Sequence, residues 1–303
     1  MEPVLQRLAR GARAAIIRLR SLGDCVLTTP AIEILKRARP DLEVALVVEP
    51  RFQAVFEDNP DVNRILQPAA SVIARWHPAL VLNLHGGTRS MTLMAASLAR
   101  FRAGFAHHRG ASLYNVRIPR AQEILGEERT VHTAEHLASA MFHLGVPRCE
   151  IPRARLFAPR PAASRPYAVI HPAASAPEKT WPADRFLAVA RHLEENCGLE
   201  PVFIAGPADD ISTFSEYRTL AGAPLSEVKT LMAGASLFIG NDSGPAHMAA
   251  AFGVPVVVLY GPSDPVVWAP WKTASETFVS PDDIARIETV AVIAAIERLR
   301  VAA

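Results

Sequence analysis

The sequence predicts an α/β protein with two domains, each built on a parallel sheet that is buried on both faces. Its 303 residues exceed the size at which single hydrophobic cores stop growing, roughly 250 to 300 residues. Short β-branched apolar runs alternate with helical patterns along the chain, as is typical of βαβ units. A segment rich in Pro and Arg, residues 152–166, separates two similarly patterned halves. We therefore place the domains at residues 1–160 and 161–303.

Four strands and one helix are predicted in the first half. The helix has apolar residues at Leu27, Ala31, Ile34 and Leu35, which lie on one helical face. Pro30 implies that this helix begins late or is kinked. The strands are residues 14–19, 44–48, 79–84 and 102–105, and the helix is 26–38.

The second half restarts with the same alternation. Its predicted strands are residues 167–171, 201–205, 237–240 and 256–260, and its helices are 183–195, 226–233 and 246–252. A final helix after Asp282 should place Ile284, Ile287, Ala291 and Ala294 on one face.

Cysteine usage and hydropathy favour a cytoplasmic protein. Cys25, Cys149 and Cys197 are too few and too far apart for a disulfide framework or a CxxC metal site. No apolar core of signal-peptide length lies between the first arginines. The longest uncharged run, residues 243–263, is interrupted by Gly and Pro, so we expect no membrane span.

Charge is divided unevenly between the two halves. Residues 1–160 carry 22 Lys and Arg against 14 Asp and Glu, a net +8, whereas residues 161–303 carry 10 against 16, a net −6. A basic half indicates an anionic partner such as a phosphorylated glycolipid, a lipid headgroup or nucleic acid. Nucleic acid is the weakest of these because no basic run is interleaved with aromatic residues. A merely uneven surface is the alternative.

The loop after the first strand, residues 18–24, offers a carboxylate to a ligand. Ligands bind at the carboxyl ends of the strands in open parallel sheets, and Asp24 lies there, just before a helix. It could take a proton from a sugar hydroxyl as a general base. The local pattern alone favours the other reading, in which Asp24 is the helix N-cap.

The loop after the strand at 167–171 offers a cation. Small residues between His171 and Pro182 let a ligand approach the backbone, and Lys179 supplies a mobile point charge for phosphate. A solvated lysine beside a packed Trp181 is the equally weighted alternative.

A third loop, residues 240–247, runs from a buried strand into a helix. The helix start should present free N–H groups to an anion. His247 could bond a phosphate or ribose, or be structural. Asp242 repels a bare phosphate, so a hydroxyl-rich sugar is its expected partner.

Several familiar sites are missing from the sequence. No GxGxxG follows the first strand, and Walker A, HExxH and GxSxG motifs are absent. His132 and His136 could share a helix face, but no third ligand stands at a metal-site spacing. We interpret them as structural or acceptor-facing residues.

Three blocks in one order resemble the heptosyltransferases of glycosyltransferase family 9, which build the inner core of lipopolysaccharide. They are IIRLRSLGDCVLTTPAIEILK at 16–36, HPAASAPEKTWPADRF at 171–186 and GNDSGPAHMAAAFGVPVVVLYGPSDP at 240–265. A weaker fourth block, LVLNLHGGTRS at 80–90, looks like the family's acceptor-facing loop.

The resemblance implies a GT-B fold, with two Rossmann-like domains whose parallel sheets face a central cleft. The first domain would bind the acceptor and the second the nucleotide sugar. The implied reaction is inverting, metal-independent transfer of a heptose from ADP-heptose to a lipopolysaccharide core or related lipid-linked oligosaccharide. No cofactor is implied. The partners would be a nucleotide sugar and an anionic glycolipid, with peripheral contact at the inner face of the membrane.

The resemblance also assigns residues. Asp24 falls on the family's catalytic base, which reverses the preference for an N-cap. The donor set is Ser175, Lys179, Asp242, Ser243, Gly244 and His247. For the acceptor we select Arg20, Asn83, His85 and Arg89.

The chain departs from the family in two places. Ala173 and Ala174 stand where some members have hydroxyl residues, which leaves Ser175 as the nearest hydroxyl. The segment 206–231 is short, which leaves the nucleobase open. A GT-B-like sugar-nucleotide epimerase or hydrolase and a noncatalytic sugar-nucleotide-binding protein remain alternatives.

Overall fold

The computed structural model describes residues 2–163 and 165–301. The chain divides into two compact units, Met1–Phe157 and Ala158–Ala303, so the division falls three residues before the predicted domain boundary. The predicted linker, residues 152–166, contains neither helix nor strand in its described part; its Ser164 lies outside the described residues.

Unit 1 is a six-stranded parallel sheet with the order β3-β2-β1-β4-β5-β6. All four predicted strands are present within two residues of their expected ends. The edge strands β3 and β6 were not predicted, because three residues are too short to show a pattern. The strands are β1 Arg13–Ile17, β2 Glu43–Val47, β3 Arg64–Leu66, β4 Leu80–Asn83, β5 Phe101–Phe105 and β6 Val116–Ile118. The helices are α1 Leu22–Ala38, α2 Ala70–Trp76, α3 Thr88–Ala96, α4 Ala121–Leu125 and α5 Thr133–Leu144.

Helix α1 begins four residues earlier than expected and continues through Pro30. Proline has no N–H, so the carbonyl of Val26 loses its usual helical donor. The Thr29 hydroxyl donates to that carbonyl at 2.8 Å instead, and the amide of Arg155 donates to the same hydroxyl at 3.0 Å. A neighbouring side chain thus replaces the missing donor, and the helix does not need to begin after the proline.

Unit 2 repeats the arrangement, with the order β12-β11-β10-β7-β8-β9, again all parallel. The four predicted strands are present; the edge strands β9 and β12 were missed because their residues are largely exposed and give no apolar run. The strands are β7 Tyr167–His171, β8 Glu200–Ala205, β9 Arg218–Ala221, β10 Leu237–Asn241, β11 Val256–Tyr260 and β12 Ser275–Val279. The helices are α6 Ala183–Cys197, α7 Leu225–Ala233, α8 Gly244–Phe252, α9 Pro265–Trp268 and α10 Thr289–Val301.

The predicted face of the last helix was wrong. Ile284 lies in a separate 3-10 turn and Ile287 follows it, so α10 starts only at Thr289. The later start changes the helical phase and leaves Ala294 exposed. The buried face instead carries Val292, Ala295, Ile296 and Leu299.

Each sheet has the strand order of a Rossmann fold, in which the chain leaves the first strand in one direction and returns on its other side. The order reverses between β1 and β4 in unit 1 and between β7 and β10 in unit 2. Ligands of such sheets bind at this switch point, beyond the carboxyl ends of the strands. Among the described residues, no helix is both long enough and apolar enough to cross a bilayer.

Candidate active site

In unit 1, Asp24 lies at the switch point on the first turn of α1. The helix N-cap is Ser21, and Asp24 is the third helical residue, so the N-cap reading of Asp24 is wrong. Its Oδ2 accepts from the Ser21 hydroxyl at 3.1 Å and from the Ser21 amide at 3.4 Å. The carboxylate is therefore held from two sides while 22% of the side chain stays exposed.

The other carboxylate oxygen faces a buried arginine. Arg18 Nη1 donates to Asp24 Oδ1 at 3.2 Å, and only 7% of the Arg18 side chain is exposed. Burial lowers the pKa of Arg18, and the charge of Asp24 opposes that shift. The neighbouring thiol is also buried, which raises the pKa of Cys25 to about 12 and keeps it protonated. Asp24 and Arg18 are thus the charged groups at the end of β1.

Three histidines surround the same strand ends. Burial is the main cause that lowers the pKa of His108 and of His136 to about 4, and it also lowers the pKa of His85. The charge of Arg18 contributes to all three shifts. Gly86, at φ +79°, brings the turn after β4 against His108, because a Cβ there would lie 2.5 Å from its ring. At neutral pH these rings are uncharged.

The four acceptor candidates differ in what they can present. Asn83 is fully buried, and its Oδ1 accepts from the amides of His85 and Gly86 at 3.1 Å each. Its Nδ2 donates to Met91 Sδ at 3.4 Å, so both polar groups are used and Asn83 shapes the loop that carries His85. Arg20 is exposed. Arg89 Nη1 donates to Glu49 Oε1 at 3.0 Å, with 59% of its side chain exposed.

In unit 2, Asn241 joins the two loops at the switch point. It ends β10 and is fully buried. Its Oδ1 accepts from the Trp181 amide at 3.1 Å, and its Nδ2 donates to the Pro172 carbonyl at 2.8 Å. The loop after β7 is thereby fixed to the end of β10. Trp181 itself is buried, with Nε1 donating to the Ile287 carbonyl at 3.0 Å.

This attachment brings together Lys179 and Asp242, which stand 63 positions apart in the sequence. Lys179 Nζ lies 3.8 Å from Asp242 Oδ2, and 29% and 14% of the two side chains are exposed. Gly261 permits the approach of the lysine loop, since a Cβ there would lie 2.3 Å from the Glu178 carbonyl oxygen. A paired cation and carboxylate, both reachable from solvent, therefore stand at the carboxyl edge of the sheet.

The start of α8 lies beside this pair. Ser243 is its N-cap, yet the hydroxyl faces His171 Nδ1 at 3.1 Å and makes no cap hydrogen bond. Burial lowers the pKa of His171 to about 4. The amides of Ser243 and Gly244 donate to no backbone oxygen in the described part of the chain. Two donors remain for a ligand, fewer than expected, because Pro245 has no N–H and the Ala246 amide bonds to the Ser243 carbonyl at 3.2 Å.

The remaining donor candidates are Ser175 and His247. Ser175 is exposed on the loop after β7. His247 is only 4% exposed and stands edge-on to Trp268, with ring centroids 6.5 Å apart.

His132 and His136 do not share a helix face. His132 is the N-cap of α5 and its Nδ1 accepts from the Ala134 amide at 3.1 Å. His136 stacks on Phe105, with centroids 4.0 Å apart. The structural interpretation accounts for His132, and at neither candidate site do the described residues gather three metal ligands.

The predicted loops contain Arg18 and Asn241, but neither residue was assigned a role of its own, and His108 was missed. A charged residue inside the apolar run that ends β1, and a histidine pair directly after β5, were signals available in the sequence. The buried hydrogen bonds of Asn241 had no such signal, because its partners lie in a loop about sixty to seventy residues away in the chain.

Comparison with known proteins provides independent evidence on the family resemblance. The family model described as glycosyltransferase family 9 (heptosyltransferase) matches residues 78–289, a range that starts after Asp24. Lipopolysaccharide heptosyltransferase 3 of Escherichia coli is 27% identical over 87% of this chain and 88% of its own length. Lipopolysaccharide heptosyltransferase 1 of Salmonella typhimurium is 25% identical over 84% of this chain and 89% of its own.

Solved structures agree with this. The glycosyl transferase family 9 from Veillonella parvula superposes with a TM-score of 0.85 at 23% identity, covering 96% of this chain and 98% of that one. Escherichia coli heptosyltransferase WaaC, solved with ADP, gives 0.80 at 19% identity, covering 95% and 100%. At this identity the likeness shows the fold, and the predicted GT-B fold class is confirmed.

Proposed function

Since the chain belongs to glycosyltransferase family 9, the heptosyltransferases, and is therefore a glycosyltransferase, we propose that it transfers a heptose from ADP-heptose to a lipopolysaccharide core or related lipid-linked oligosaccharide. The transfer inverts the anomeric carbon and uses no metal. Unit 2 binds the nucleotide sugar and unit 1 binds the acceptor.

One observation carries the proposal: the Lys179 and Asp242 side chains, from two loops of unit 2, meet at 3.8 Å beside the start of α8. The lysine and the amides of Ser243 and Gly244 suit a diphosphate, since all of them are donors or positive. The carboxylate suits sugar hydroxyls, which donate to it. A nucleoside diphosphate sugar offers both chemistries in one molecule.

The same groups account for departure of the leaving group without a metal. Negative charge develops on the diphosphate as its bond to the anomeric carbon breaks. The helix-start amides are fixed before the reaction, so they stabilise this charge without reorganisation, and Lys179 adds its positive charge. Ser175 and His247 complete the proposed donor contacts.

Asp24 acts as the base in the proposal. The acceptor oxygen bonds to the anomeric carbon on the face opposite the diphosphate, while its proton moves to the Asp24 carboxylate and the bonding electrons leave with ADP. Oδ1 has one hydrogen-bond partner in the described structure, Arg18, and a carboxylate oxygen has a second lone pair for the proton.

The basic charge of the first half supports an anionic acceptor. The net +8 of residues 1–160 attracts a phosphorylated glycolipid and the anionic surface that presents it. Arg20, His85 and Arg89 are the proposed contacts, with Asn83 shaping their loop. We place the protein in the cytoplasm, in peripheral contact with the inner face of the membrane.

The test is product analysis with purified protein, ADP-heptose and a truncated lipopolysaccharide acceptor, with and without EDTA. The proposal expects acceptor-dependent release of ADP, an EDTA-insensitive rate and, by NMR, an inverted anomeric configuration. Altered or free sugar formed without acceptor would instead show an epimerase or hydrolase. Donor binding without any turnover would show a binding protein.

A further inference from the structure

Three metal-ligating side chains meet between α6 and α10 of unit 2, away from the loops that follow the strands. His192 Nε2 lies 2.7 Å from Glu297 Oε1, and Cys197 Sγ lies 3.7 Å from the same oxygen. The three ligand atoms lie within 4.8 Å of one another. Within residues 2–163 and 165–301, this is the one such group.

Packing fixes the two helices that supply the ligands. Leu193 of α6 and Val292, Ile296 and Leu299 of α10 are buried in one hydrophobic core. Helix α6 ends at Cys197, because Gly198 turns the chain at φ +65°. The ligands are therefore placed by a rigid interface, as a preformed metal site requires.

The exposure of the three residues places the site between the hydrophobic core and the solvent. Cys197 is 8% exposed, whereas 18% of the His192 side chain and 46% of the Glu297 side chain are exposed. An ion can enter from the Glu297 side and reach a largely buried thiol.

We infer that His192, Cys197 and Glu297 form a binding site for a zinc-like divalent transition metal that clamps α10 to α6. Sulfur, imidazole nitrogen and carboxylate oxygen are the ligands that Zn²⁺ takes, whereas Mg²⁺ and Ca²⁺ prefer oxygen alone. A thiolate and a carboxylate neutralise the 2+ charge.

Two of the three distances between ligand atoms can be compared with tetrahedral geometry. Tetrahedral bonds of about 2.0 to 2.3 Å hold ligand atoms roughly 3.3 to 3.8 Å apart. The Cys197–Glu297 distance of 3.7 Å already falls in that range. The His192–Glu297 distance of 2.7 Å requires a small rotation of the more exposed Glu297 side chain. A fourth position is left for water or another ligand.

The site is structural and independent of the proposed transfer reaction. Its ligands lie on helices, and α10 is the final helix of the chain. An ion there would tether this helix and stabilise unit 2 without taking part in chemistry at Lys179 and Asp242.

The experiment uses the full chain, reduced and stripped of metal, with Zn²⁺ as the probe. Bound zinc is counted after gel filtration, affinity is measured by competition with a chromophoric chelator, and melting is followed with and without Zn²⁺. Substitution with Co²⁺ reports sulfur ligation through its thiolate charge-transfer absorption.

The variants are Cys197→Ser, His192→Gln and Glu297→Gln. Matched controls are Cys149→Ser, which removes an exposed free thiol, and Glu195→Gln, an exposed position on α6. If Cys197→Ser fails to fold because its position is buried, the loss of zinc binding is tested with His192→Gln.

We expect one Zn²⁺ per chain, a higher melting temperature with Zn²⁺, and a Co²⁺ spectrum with the thiolate band. Each ligand variant should weaken binding by roughly a hundredfold or more, since loss of even an outer partner costs 10- to 100-fold. Both controls should match the wild type. Absence of stoichiometric zinc, or an unchanged affinity in the ligand variants, would overturn the site and leave hydrogen-bonded side chains without a metal.

Discussion

The guanidinium of Arg18 stands 3.2 Å from the carboxylate of Asp24, and the arginine is the more deeply buried partner of this pair. A buried arginine at the end of a strand has few ways to be neutralised. Asp24 supplies the opposite charge while it remains partly open to solvent. The Arg18–Asp24 pair thus contributes both to the stability of unit 1 and to the proposed chemistry.

Arg18→Met should destabilise unit 1 by about 1.5 to 3 kcal/mol, because the Asp24 carboxylate loses its hydrogen bond to a charged group. Urea denaturation measures the loss. The control is Arg64→Met on the edge strand β3, where 64% of the arginine side chain and 32% of its partner Glu43 are exposed and a loss under about 1 kcal/mol is expected. Equal losses would show that the burial of Arg18 has no special weight.

Asp24→Asn should lower the transfer rate by about 10² to 10⁴-fold, the usual contribution of a general base. Asparagine keeps the shape and the contact with Ser21 but accepts no proton. Donor binding, measured by calorimetry, should be unchanged. Asp61→Asn, a partly exposed position in the same unit, is the control; a near wild-type rate for Asp24→Asn would remove the residue from the mechanism.

Lys179→Met should weaken binding of ADP-heptose by roughly 10- to 100-fold, since hydrogen bonds to charged groups contribute about 1.5 to 3 kcal/mol. Calorimetry at two salt concentrations measures the effect, which should be larger at low salt. Lys272→Met removes an exposed lysine of the same unit and should have no effect. Equal affinities for the two variants would mean that Lys179 does not contact the diphosphate.

Gly261→Ala should reduce donor affinity while the fold persists. The added Cβ would lie 2.3 Å from the Glu178 carbonyl oxygen, so the loop must shift and carry Lys179 away from Asp242. Gly87→Ala is the comparison, because its Cβ would meet the His85 ring at an ordinary 3.5 Å. Calorimetry and circular dichroism together decide between a displaced loop and an unfolded protein.

As the pH is lowered, the protein should begin to lose stability before its carboxylates titrate. The folded-state pKa of His108, His136 and His171 is about 4, against an unfolded value of about 6.5. Between those values the unfolded chain binds more protons, so stability is fully present above about pH 6.5 and falls as the pH drops towards 4.

Denaturation across that window should show this loss, with His136→Phe giving a shallower slope. Phenylalanine keeps the stacking on Phe105 and removes one titrating group. A wild-type stability that is flat from pH 6.5 to 4 would contradict the prediction.

The central strands could be predicted from sequence because burial on both faces makes each one a continuous apolar run. β1 and β10, with neighbours on either side, are of this kind. The edge strand β12 alternates exposed and half-buried residues, so its sequence resembles a loop.

The site was predictable only as far as single loops allow. Asp24, Lys179 and Asp242 were predicted as site residues because each lies in a loop that follows a strand. The meeting of Lys179 with Asp242 depends on Asn241, whose hydrogen bonds reach across the chain, and no local pattern records such a contact. Asn83 illustrates the opposite error, since the polar groups of a residue at a strand end can be used by its own turn and by a neighbouring helix.

The hydroxyl of Thr29 makes the sequence around Pro30 interdependent. If Thr29 became valine, the Val26 carbonyl and the Arg155 amide would both lose their hydrogen-bond partner. Thr29 lies in α1, the helix whose first turn contains Asp24. A residue with an N–H at position 30 would restore a donor to the Val26 carbonyl. The Arg155 amide would still lack its acceptor. In homologues, proline at position 30 should therefore be accompanied by threonine or serine at position 29, whereas the threonine can remain without the proline.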